Sequence, residues 1–247
     1  MRGIELIPVE NFPEVRPGDD LDGLVADAVG GVLSAGDVLV VTHKVMSKAE
    51  GRLVDLTTVD PSPLAKEYAA RWGKDPRQIE VVFRESRRIV RMDRGVVISE
   101  TRHGFVCANA GVDASNVPGA ETVCLLPIDP DRSASRLREA LHLRLGVEAP
   151  VVVSDSFGRA WRFGITDVAI GVSGMDPLAD YRGQNDPHGY PMEASVLAVA
   201  DEVAAAAELA MGKTDGVPLV IVRGYAYGKG AGTGRDLLMP PERDMFR

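Results

Sequence analysis

The stretch VVVSDSFGRAWRFGITDVAIG, residues 151–171, decides the fold. It begins with three valines, Val151 to Val153, and such an apolar run predicts a buried strand. Three small side chains that carry oxygen follow at residues 154–156, and we expect the strand to end there in a loop. Open α/β sheets bind ligands in the loops at the ends of their strands. The stretch therefore predicts a central strand with a ligand site at its end.

The polar part of this stretch indicates the kind of ligand. Asp155 lies between Ser154 and Ser156, and Arg159 and Arg162 follow shortly after. An acid, two hydroxyls and two guanidinium groups so close together suit a metal ion that binds a phosphate. A polar turn with a surface ion pair accounts for the same residues equally well. Both interpretations are open on this stretch alone.

The composition is ordinary for a soluble globular protein. Of the 247 residues, 45% are hydrophobic and 26% are charged, which allows one large domain or two small ones. The formal net charge of -8 argues against a nucleic-acid-binding protein, so an anionic ligand would need a local basic pocket or a metal. We see no signal peptide and no membrane span, and we expect a cytoplasmic protein. Cys107 and Cys124 lie in apolar runs, which favours buried reduced thiols over a disulfide.

Strands and helices are predicted along the whole chain. Apolar runs predict strands at residues 4–9, 38–41, 95–99, 104–108, 122–126 and 217–222. Apolar residues at helical spacing predict helices at residues 21–33, 61–72, 76–91, 133–145 and 193–211, the fourth of them capped by Ser133. The glycine-rich segment 224–234 predicts a mobile tail or lid.

Three well-known motifs are not matched by the sequence. Residues 211–214 read MGKT, like the end of a P-loop, but Ala207 occupies the position where that loop needs its first glycine. The glycines after residue 224 do not follow the G-x-G-x-x-G pattern and come after the last predicted strand. Ser156 is not in a G-x-S-x-G elbow. A P-loop, a dinucleotide-binding fold and a Ser–His–Asp hydrolase are therefore not supported.

Two other polar segments also follow predicted strands. The strand at 38–41 leads into a basic segment with Lys44 and Lys48, and a solvated face is the simplest explanation for that segment. The loop NAGVDASNVPG holds Asp113 and Asn116, and Asx-turns explain both residues. Neither segment identifies a function by itself.

Taken together, these segments resemble the coenzyme F420-0:L-glutamate ligase family, whose members are also called γ-glutamyl ligases. The resemblance covers nearly the whole chain, in the order IELIPVENFPEVRPGDDL, GDVLVVTHKVMSKAEGR, NAGVDASNV, LLPIDPDRSA, SDSFGRAWRFG, VADEVAAAAELAMGK and PLVIVRG. It implies an α+β fold with mixed sheets and packed helices, without a P-loop. It also implies a homodimer and one domain over residues 1–247, or two intertwined subdomains within that range.

The resemblance implies a ligase that adds L-glutamate to coenzyme F420-0. In the family, GTP activates the lactyl carboxylate of F420-0 as an acyl phosphate, and some members add further γ-linked glutamates. Mg²⁺ or Mn²⁺ at two sites is the implied cofactor, with K⁺ as a further cation. The implied partners are F420-0, L-glutamate and GTP, with no nucleic acid and no membrane. A metal-dependent phosphatase or nucleotide hydrolase is the first alternative, and a nucleotide-binding regulatory module is the alternative outside the enzymes.

The resemblance also implies roles for individual residues. Asp113 and Asp155 correspond to ligands of one divalent metal, and Ser156 corresponds to a hydroxyl ligand of a second. Arg159 and Arg162 follow the metal aspartate, so we expect them to be catalytic residues that contact phosphate or the substrate carboxylate. The implied nucleotide-binding residues are Phe12, Pro13, Glu14, Val15, His43, Lys44, Lys48, Asn116, Met211, Gly212 and Lys213.

The residue types suit this chemistry, with two departures from the family pattern. Magnesium and manganese prefer hard oxygen ligands, which two aspartates and a serine supply. Lys213 stands where an acid is expected, next to the implied second metal. His43 replaces a small hydroxyl residue.

Overall fold

Helices and strands are mixed along the chain, and the fold is α+β with several sheets, as expected. The computed structural model describes residues 3–245. The strands are β1 (Glu5–Pro8), β2 (Val38–Thr42), β3 (Leu53–Asp55), β4 (Ser86–Asp93), β5 (Val96–Thr101), β6 (Val106–Ala108), β7 (Thr122–Cys124), β8 (Val151–Arg159), β9 (Arg162–Ser173), β10 (Ala179–Asp180), β11 (Val196–Leu197) and β12 (Leu219–Arg223). The α-helices are α1 (Leu21–Val29), α2 (His43–Ala49), α3 (Pro63–Trp72), α4 (Pro76–Glu85), α5 (Pro130–Leu145) and α6 (Val199–Met211). No helix within residues 3–245 is both long enough and apolar enough to cross a membrane.

A five-stranded sheet in the order β1-β12-β2-β8-β9 forms the centre of the fold. Within it β2 and β8 run parallel, with Val41 beside Val153, and the other neighbouring strands are antiparallel. Successive side chains of a strand point to opposite faces of the sheet. Leu39 accordingly packs in the core with α1 and α5, and Val40 packs in the core with α6. Because both faces are covered, β2 is a continuous apolar run.

The two faces of this sheet each pack in a hydrophobic core. A third hydrophobic core lies apart from the sheet, between α3, α4 and two small sheets. The small sheets have the strand orders β4-β5-β6 and β3-β7. Tyr68, Ile79, Val97 and Val123 are buried in this core, which draws its residues from the middle of the chain. The expectation of one domain, or of two intertwined subdomains, stays a prediction.

The expected helix at residues 76–91 is wrong in its second half. Helix α4 ends at Glu85, and the chain continues directly as strand β4. In β4, Ile89 lies opposite Ser99 of β5. The pairing of β4 with β5 is a long-range interaction that outweighs the local helical pattern, and the β-branched Ile89 and Val90 suit a strand.

Two other helices begin elsewhere than expected. Helix α5 begins at Pro130, because Asp129 caps it by accepting a hydrogen bond from the backbone N–H of Arg132 at 3.1 Å. Ser133 therefore lies inside the first turn and is not the cap. Helix α6 begins at Val199, not at residue 193.

The glycine-rich segment 224–234, expected as a mobile tail or lid, is packed against the body of the protein. The backbone N–H of Asp176 donates to the carbonyl of Gly228 at 2.9 Å. A Cβ atom at Gly230 would lie 1.5 Å from Asp176 Oδ1. Glycine is thus needed here for close packing, and these residues do not line the pocket described below.

Cys107 and Cys124 are buried free thiols, as expected. Burial, with a contribution from the charge of Asp155, raises the pKa of Cys107 to about 12. Burial raises the pKa of Cys124 to about 11. Both thiols are thereby kept in the protonated, unreactive form at neutral pH.

Candidate active site

A pocket of about 570 Å³ lies beside the carboxyl end of β2, where Thr42 pairs with Ser154 of β8. Its walls also come from residues 12–15, helix α2, the loop at 113–118, the β8–β9 hairpin, and the end of α6 with the residues that follow it. The ends of adjacent parallel strands are the places where open sheets bind ligands. The pocket therefore lies where the sequence predicts a site.

Strand β8 does not end at Ser154, which corrects the predicted loop. It continues to Arg159 and forms a hairpin with β9, in which Ser156 lies opposite Asp167. Asp155 and Ser156 are therefore strand residues, fixed by backbone pairing on the pocket wall. Ser156 and Asp167 face each other across the hairpin, and Ser156 Oγ donates to Asp167 Oδ1 at 2.6 Å.

Helix α2 places two lysines at the pocket because it begins directly after β2. Lys44 and Lys48 are four positions apart and so lie on one face of the helix. Lys44 Nζ lies 2.6 Å from Asp113 Oδ2 and also donates to the carbonyl and to Oγ of Ser115. Burial opposes ionisation of Asp113, but the hydrogen bonds from Lys44 and Ser115 outweigh it and lower the pKa of this carboxyl.

Lys48 is buried and bonds to a carboxylate at the pocket mouth. Its side chain is 7% exposed, and its Nζ lies 2.5 Å from Glu14 Oε1. The Glu14 side chain is 57% exposed, so solvent screens this ion pair. The Lys48 ammonium is thus a buried cation that needs an anionic partner, and a bound phosphate can replace the exposed Glu14 in that role.

Asp155 faces a buried histidine. His43 Nε2 lies 3.3 Å from Asp155 Oδ1, and His43 Nδ1 lies 3.2 Å from Ser47 Oγ. The approach to Asp155 is close but not aligned as a hydrogen bond, so Nε2 is buried without a directional partner among the described groups. Asp155 Oδ1 also accepts from the backbone N–H of Ser156 at 2.7 Å.

Lys213 contacts a cluster of two acids and one serine hydroxyl that also line the pocket. Its Nζ lies 2.6 Å from Glu208 Oε1, 2.5 Å from Ser156 Oγ and 3.4 Å from Asp167 Oδ1. Burial disfavours the charged lysine, but the hydrogen bond to Glu208 and the charge of Asp167 outweigh it and raise the pKa of Lys213. Asn116 adds a long hydrogen bond of 3.5 Å to the carbonyl of Lys213.

The structure brings nearly all the sequence-predicted residues together. The residues proposed for nucleotide and metal that line this one pocket are Phe12, Pro13, Glu14, Val15, His43, Lys44, Lys48, Asn116, Met211, Gly212, Lys213, Asp113, Asp155 and Ser156. They come from segments far apart in the sequence, so their convergence is a property of the fold. Their roles stay predictions.

Arg159 and Arg162 do not line the pocket, contrary to their expected place beside it. Both are exposed and pair with each other at the far end of the β8–β9 hairpin. A strand advances about 3.3 Å per residue, so Arg159 lies roughly 13 Å beyond Asp155 along β8. The expectation placed both arginines in a loop beside the metal aspartate, whereas the continuous strand carries them away from the pocket of the same chain. Their catalytic role stays a prediction.

Two acids of the pocket were not assigned from the sequence. Asp167 is buried in β9, and Glu208 lies on α6 three positions before Met211. Helical spacing was the available signal for Glu208, because residues three apart share a helix face. Asp167 could be found only from the register of the hairpin.

A divalent metal fits part of the predicted ligand set. The described residues contain no cluster of three or more His, Cys, Asp or Glu side chains able to hold a metal. Mg²⁺ usually binds through one or two carboxylates and completes its shell with substrate phosphates and water. Asp113 and Asp155 both line the pocket and supply the two carboxylates of that arrangement. Ser156 does not offer an open position, because Lys213 already contacts its hydroxyl.

Comparison with known proteins identifies the family of this chain. The model of the F420-0:Gamma-glutamyl ligase family matches residues 10–224. The chain is 46% identical over 252 aligned positions to the coenzyme F420:L-glutamate ligase of Methanothermobacter thermautotrophicus, with 99% of each chain covered. It is 47% identical to the enzyme of the same name from Methanopyrus kandleri, covering 99% of this chain and 97% of the relative. It is 39% identical to that of Methanocaldococcus jannaschii, covering 100% and 98%. The chain therefore belongs to the F420-0:γ-glutamyl ligase family.

Proposed function

We propose that this protein is a GTP- and metal-dependent ligase that joins L-glutamate to coenzyme F420-0. The names of its relatives, coenzyme F420:L-glutamate ligases, support L-glutamate and a form of coenzyme F420 as the two joined substrates. The single observation that carries the proposal is the convergence of Lys44, Lys48 and Lys213 on one pocket. The same pocket holds the carboxylates of Glu14, Asp113, Asp155, Asp167 and Glu208, so the three ammonium groups suit a polyphosphate that binds together with a divalent cation.

GTP is proposed to occupy this pocket with its phosphates toward the lysines. Lys44 and Lys48 lie on one face of α2, which begins directly after β2, and there they can bind phosphate oxygens. Phe12 and Val15 form an apolar wall near Lys48, which suits the base or ribose of the nucleotide. The pocket volume of about 570 Å³ is within the range of small-molecule and cofactor sites.

We propose that Asp113 and Asp155 hold one Mg²⁺ or Mn²⁺ together with phosphate oxygens. When bound, the ion would offset the charge of the transferring phosphoryl group. Lys44 would then release Asp113 and bind phosphate, because the ion takes over the neutralisation of the carboxylate. K⁺ remains a proposed further cation, and replacing K⁺ with Na⁺ in the assay tests it.

The proposed reaction has two displacements. A carboxylate oxygen of F420-0 attacks the γ-phosphorus of GTP, the bond from that phosphorus to the bridging oxygen breaks, and GDP leaves. The deprotonated glutamate amine then attacks the acyl carbon, the C–O bond to phosphate breaks, and inorganic phosphate leaves as the amide forms. The amine gives up its protons to solvent and phosphate. The lysines of this chain bind and orient the phosphates, and no covalent enzyme intermediate is needed.

We further propose a homodimer that forms through the β8–β9 hairpin. Phe163 is fully exposed near the hairpin end, and Ile165 two positions later is 57% exposed. Residues two apart share one face of a strand, so these side chains form an apolar surface. A self-complementary contact with a second copy would cover it. We place the enzyme in the cytoplasm, where GTP is available and the two free cysteines stay reduced.

The test is a product assay with purified protein, F420-0, L-glutamate, GTP and MgCl₂. We expect mass spectrometry to find glutamylated F420 and one GDP for each amide formed, with each substrate required. GDP formation that does not require F420-0 and glutamate would indicate a nucleotide hydrolase or phosphatase. Nucleotide binding without turnover would indicate a regulatory module. The number of glutamates in the product also shows whether γ-linked additions follow.

A further inference from the structure

Lys213 occupies the place that the predicted second metal would need. Its ammonium nitrogen lies 2.5 Å from Ser156 Oγ, the hydroxyl expected to bind that metal. The same nitrogen lies 2.6 Å from Glu208 Oε1 and 3.4 Å from Asp167 Oδ1. A Mg²⁺ ion at Ser156 would need to lie about 2.1 Å from the same oxygen. An ammonium and a divalent ion cannot share this position, because they would overlap and repel.

We infer that Lys213 serves as a built-in cation in this pocket, so that the site takes one divalent ion, at Asp113 and Asp155, and not two. The inference rests on the proposed metal-dependent function and gives it a different cation count from the one that family resemblance implies. Lys213 is a positioning residue in this account, since it sets the charge and geometry around Ser156.

The hydrogen bonds of the cluster are already complete. Asp167 Oδ2 accepts from Ser154 Oγ at 2.9 Å, and Asp167 Oδ1 accepts from Ser156 Oγ at 2.6 Å. Glu208 Oε2 accepts from the backbone N–H of Asp167 at 3.3 Å. With Lys213 in place, each carboxylate oxygen of Asp167 and Glu208 already has a partner, and one positive charge lies between the two carboxylates.

Lys213 and Lys44 differ in the burial of the carboxylate that would lose its partner if the lysine moved away. If Lys213 moved away, Asp167, whose side chain is 5% exposed, would be left as a buried charge beside Glu208. If Lys44 moved away, Asp113 would remain 44% exposed and hydrated. The burial of Asp167 therefore keeps Lys213 in place, whereas Lys44 can give up its carboxylate to a metal.

The test counts bound Mn²⁺ by electron paramagnetic resonance in the presence of saturating GDP, after subtraction of a GDP-only titration. We expect one Mn²⁺ per chain for wild type. Lys213→Gln removes the charge and opens the acid cluster, so we expect a count of two. Lys213→Arg keeps the charge and is the matched control, for which we expect one. Lys213→Gln with Glu208→Gln removes an acid again and should return the count to one.

The outcomes separate this inference from the function on which it rests. Two ions in wild type would overturn the inference and leave the metal-dependent ligase standing. A count of one in Lys213→Gln would also overturn it, because the lysine would not be what excludes the second ion. No bound Mn²⁺ in wild type would overturn both. If Lys213→Gln does not fold, the counts for wild type and Lys213→Arg still decide, since a second ion in either contradicts the inference.

Discussion

Lys44 Nζ lies 2.6 Å from Asp113 Oδ2, although the two residues are 69 positions apart in the chain. Lys44 follows the central strand β2, and Asp113 is held by an isolated bridge in which it exchanges backbone hydrogen bonds with Cys124. The contact joins a proposed phosphate ligand to a proposed metal ligand. Metal and nucleotide should therefore bind cooperatively, because each takes one partner of this pair.

Replacing Lys48 tests the nucleotide site. Lys48→Ala removes a buried ammonium that faces the pocket, and hydrogen bonds to charged groups contribute roughly 1.5–3 kcal/mol. We expect GTP affinity, measured by calorimetry, to fall at least about tenfold. Lys66→Ala is the control, because Lys66 is exposed and pairs with the exposed Asp60. Equal GTP affinity in Lys48→Ala and wild type would mean that Lys48 has only a structural role.

Neutralising the two aspartates tests the shared-ion model. Asp113→Asn and Asp155→Asn each remove one charge and keep nearly the same shape, and each should lower turnover by about 10²–10³ or more. Because both would serve one ion, the double variant should be little worse than either single variant. The measurement is turnover across a manganese titration, with thermal melts as the check on folding. Independent, multiplying losses would contradict a common ion, as would variants that unfold.

Replacing Phe163 tests whether the β8–β9 hairpin forms the interface of a homodimer. Phe163→Asp places a charge on the proposed dimer surface, and we expect the protein to become monomeric in light scattering after size exclusion. Leu209→Asp is the matched control, because Leu209 is 84% exposed on α6 and should leave the dimer intact. A wild-type protein that is already monomeric at micromolar concentration would refute the prediction.

The buried thiols predict how stability depends on pH. Cysteine in an unfolded chain has a pKa of about 8.5, whereas burial raises the pKa of Cys107 to about 12 and that of Cys124 to about 11. Above pH 8.5 the unfolded state releases protons that the folded state keeps, so the free energy of unfolding falls as pH rises toward these values. The variant with both cysteines changed to alanine should lose less stability between pH 7 and pH 10, as measured by urea unfolding. Parallel losses in the two proteins would show that the thiols do not titrate in this way.

The location of the pocket could be predicted from the sequence, because apolar runs followed directly by polar residues mark the strand ends that line it. The apolar run of β2 ends at Thr42 and a helix with Lys44 and Lys48 begins at once, so their placement follows from chain order. Asp155 follows another apolar run in the same way. Predicting the positions of these residues requires no knowledge of how strands distant in the sequence pair.

The remaining features depend on long-range pairing that no local pattern shows. Strand β8 continues past Ser154 because β9 pairs with it, and this moves Arg159 away from the pocket. The same pairing brings Asp167 opposite Ser156. Strand β4 replaces half of a predicted helix for a similar reason, since Ile89 gains a partner strand.

The central claim is that GTP activates the carboxylate of F420-0 as an acyl phosphate in this pocket. The most direct measurement uses F420-0 with both oxygens of its lactyl carboxylate labelled with ¹⁸O, followed by mass spectrometry of every product. The account predicts one ¹⁸O in each released phosphate, the other in the new amide, and unlabelled GDP. Unlabelled phosphate alongside glutamylated F420, or label recovered in GMP, would contradict it.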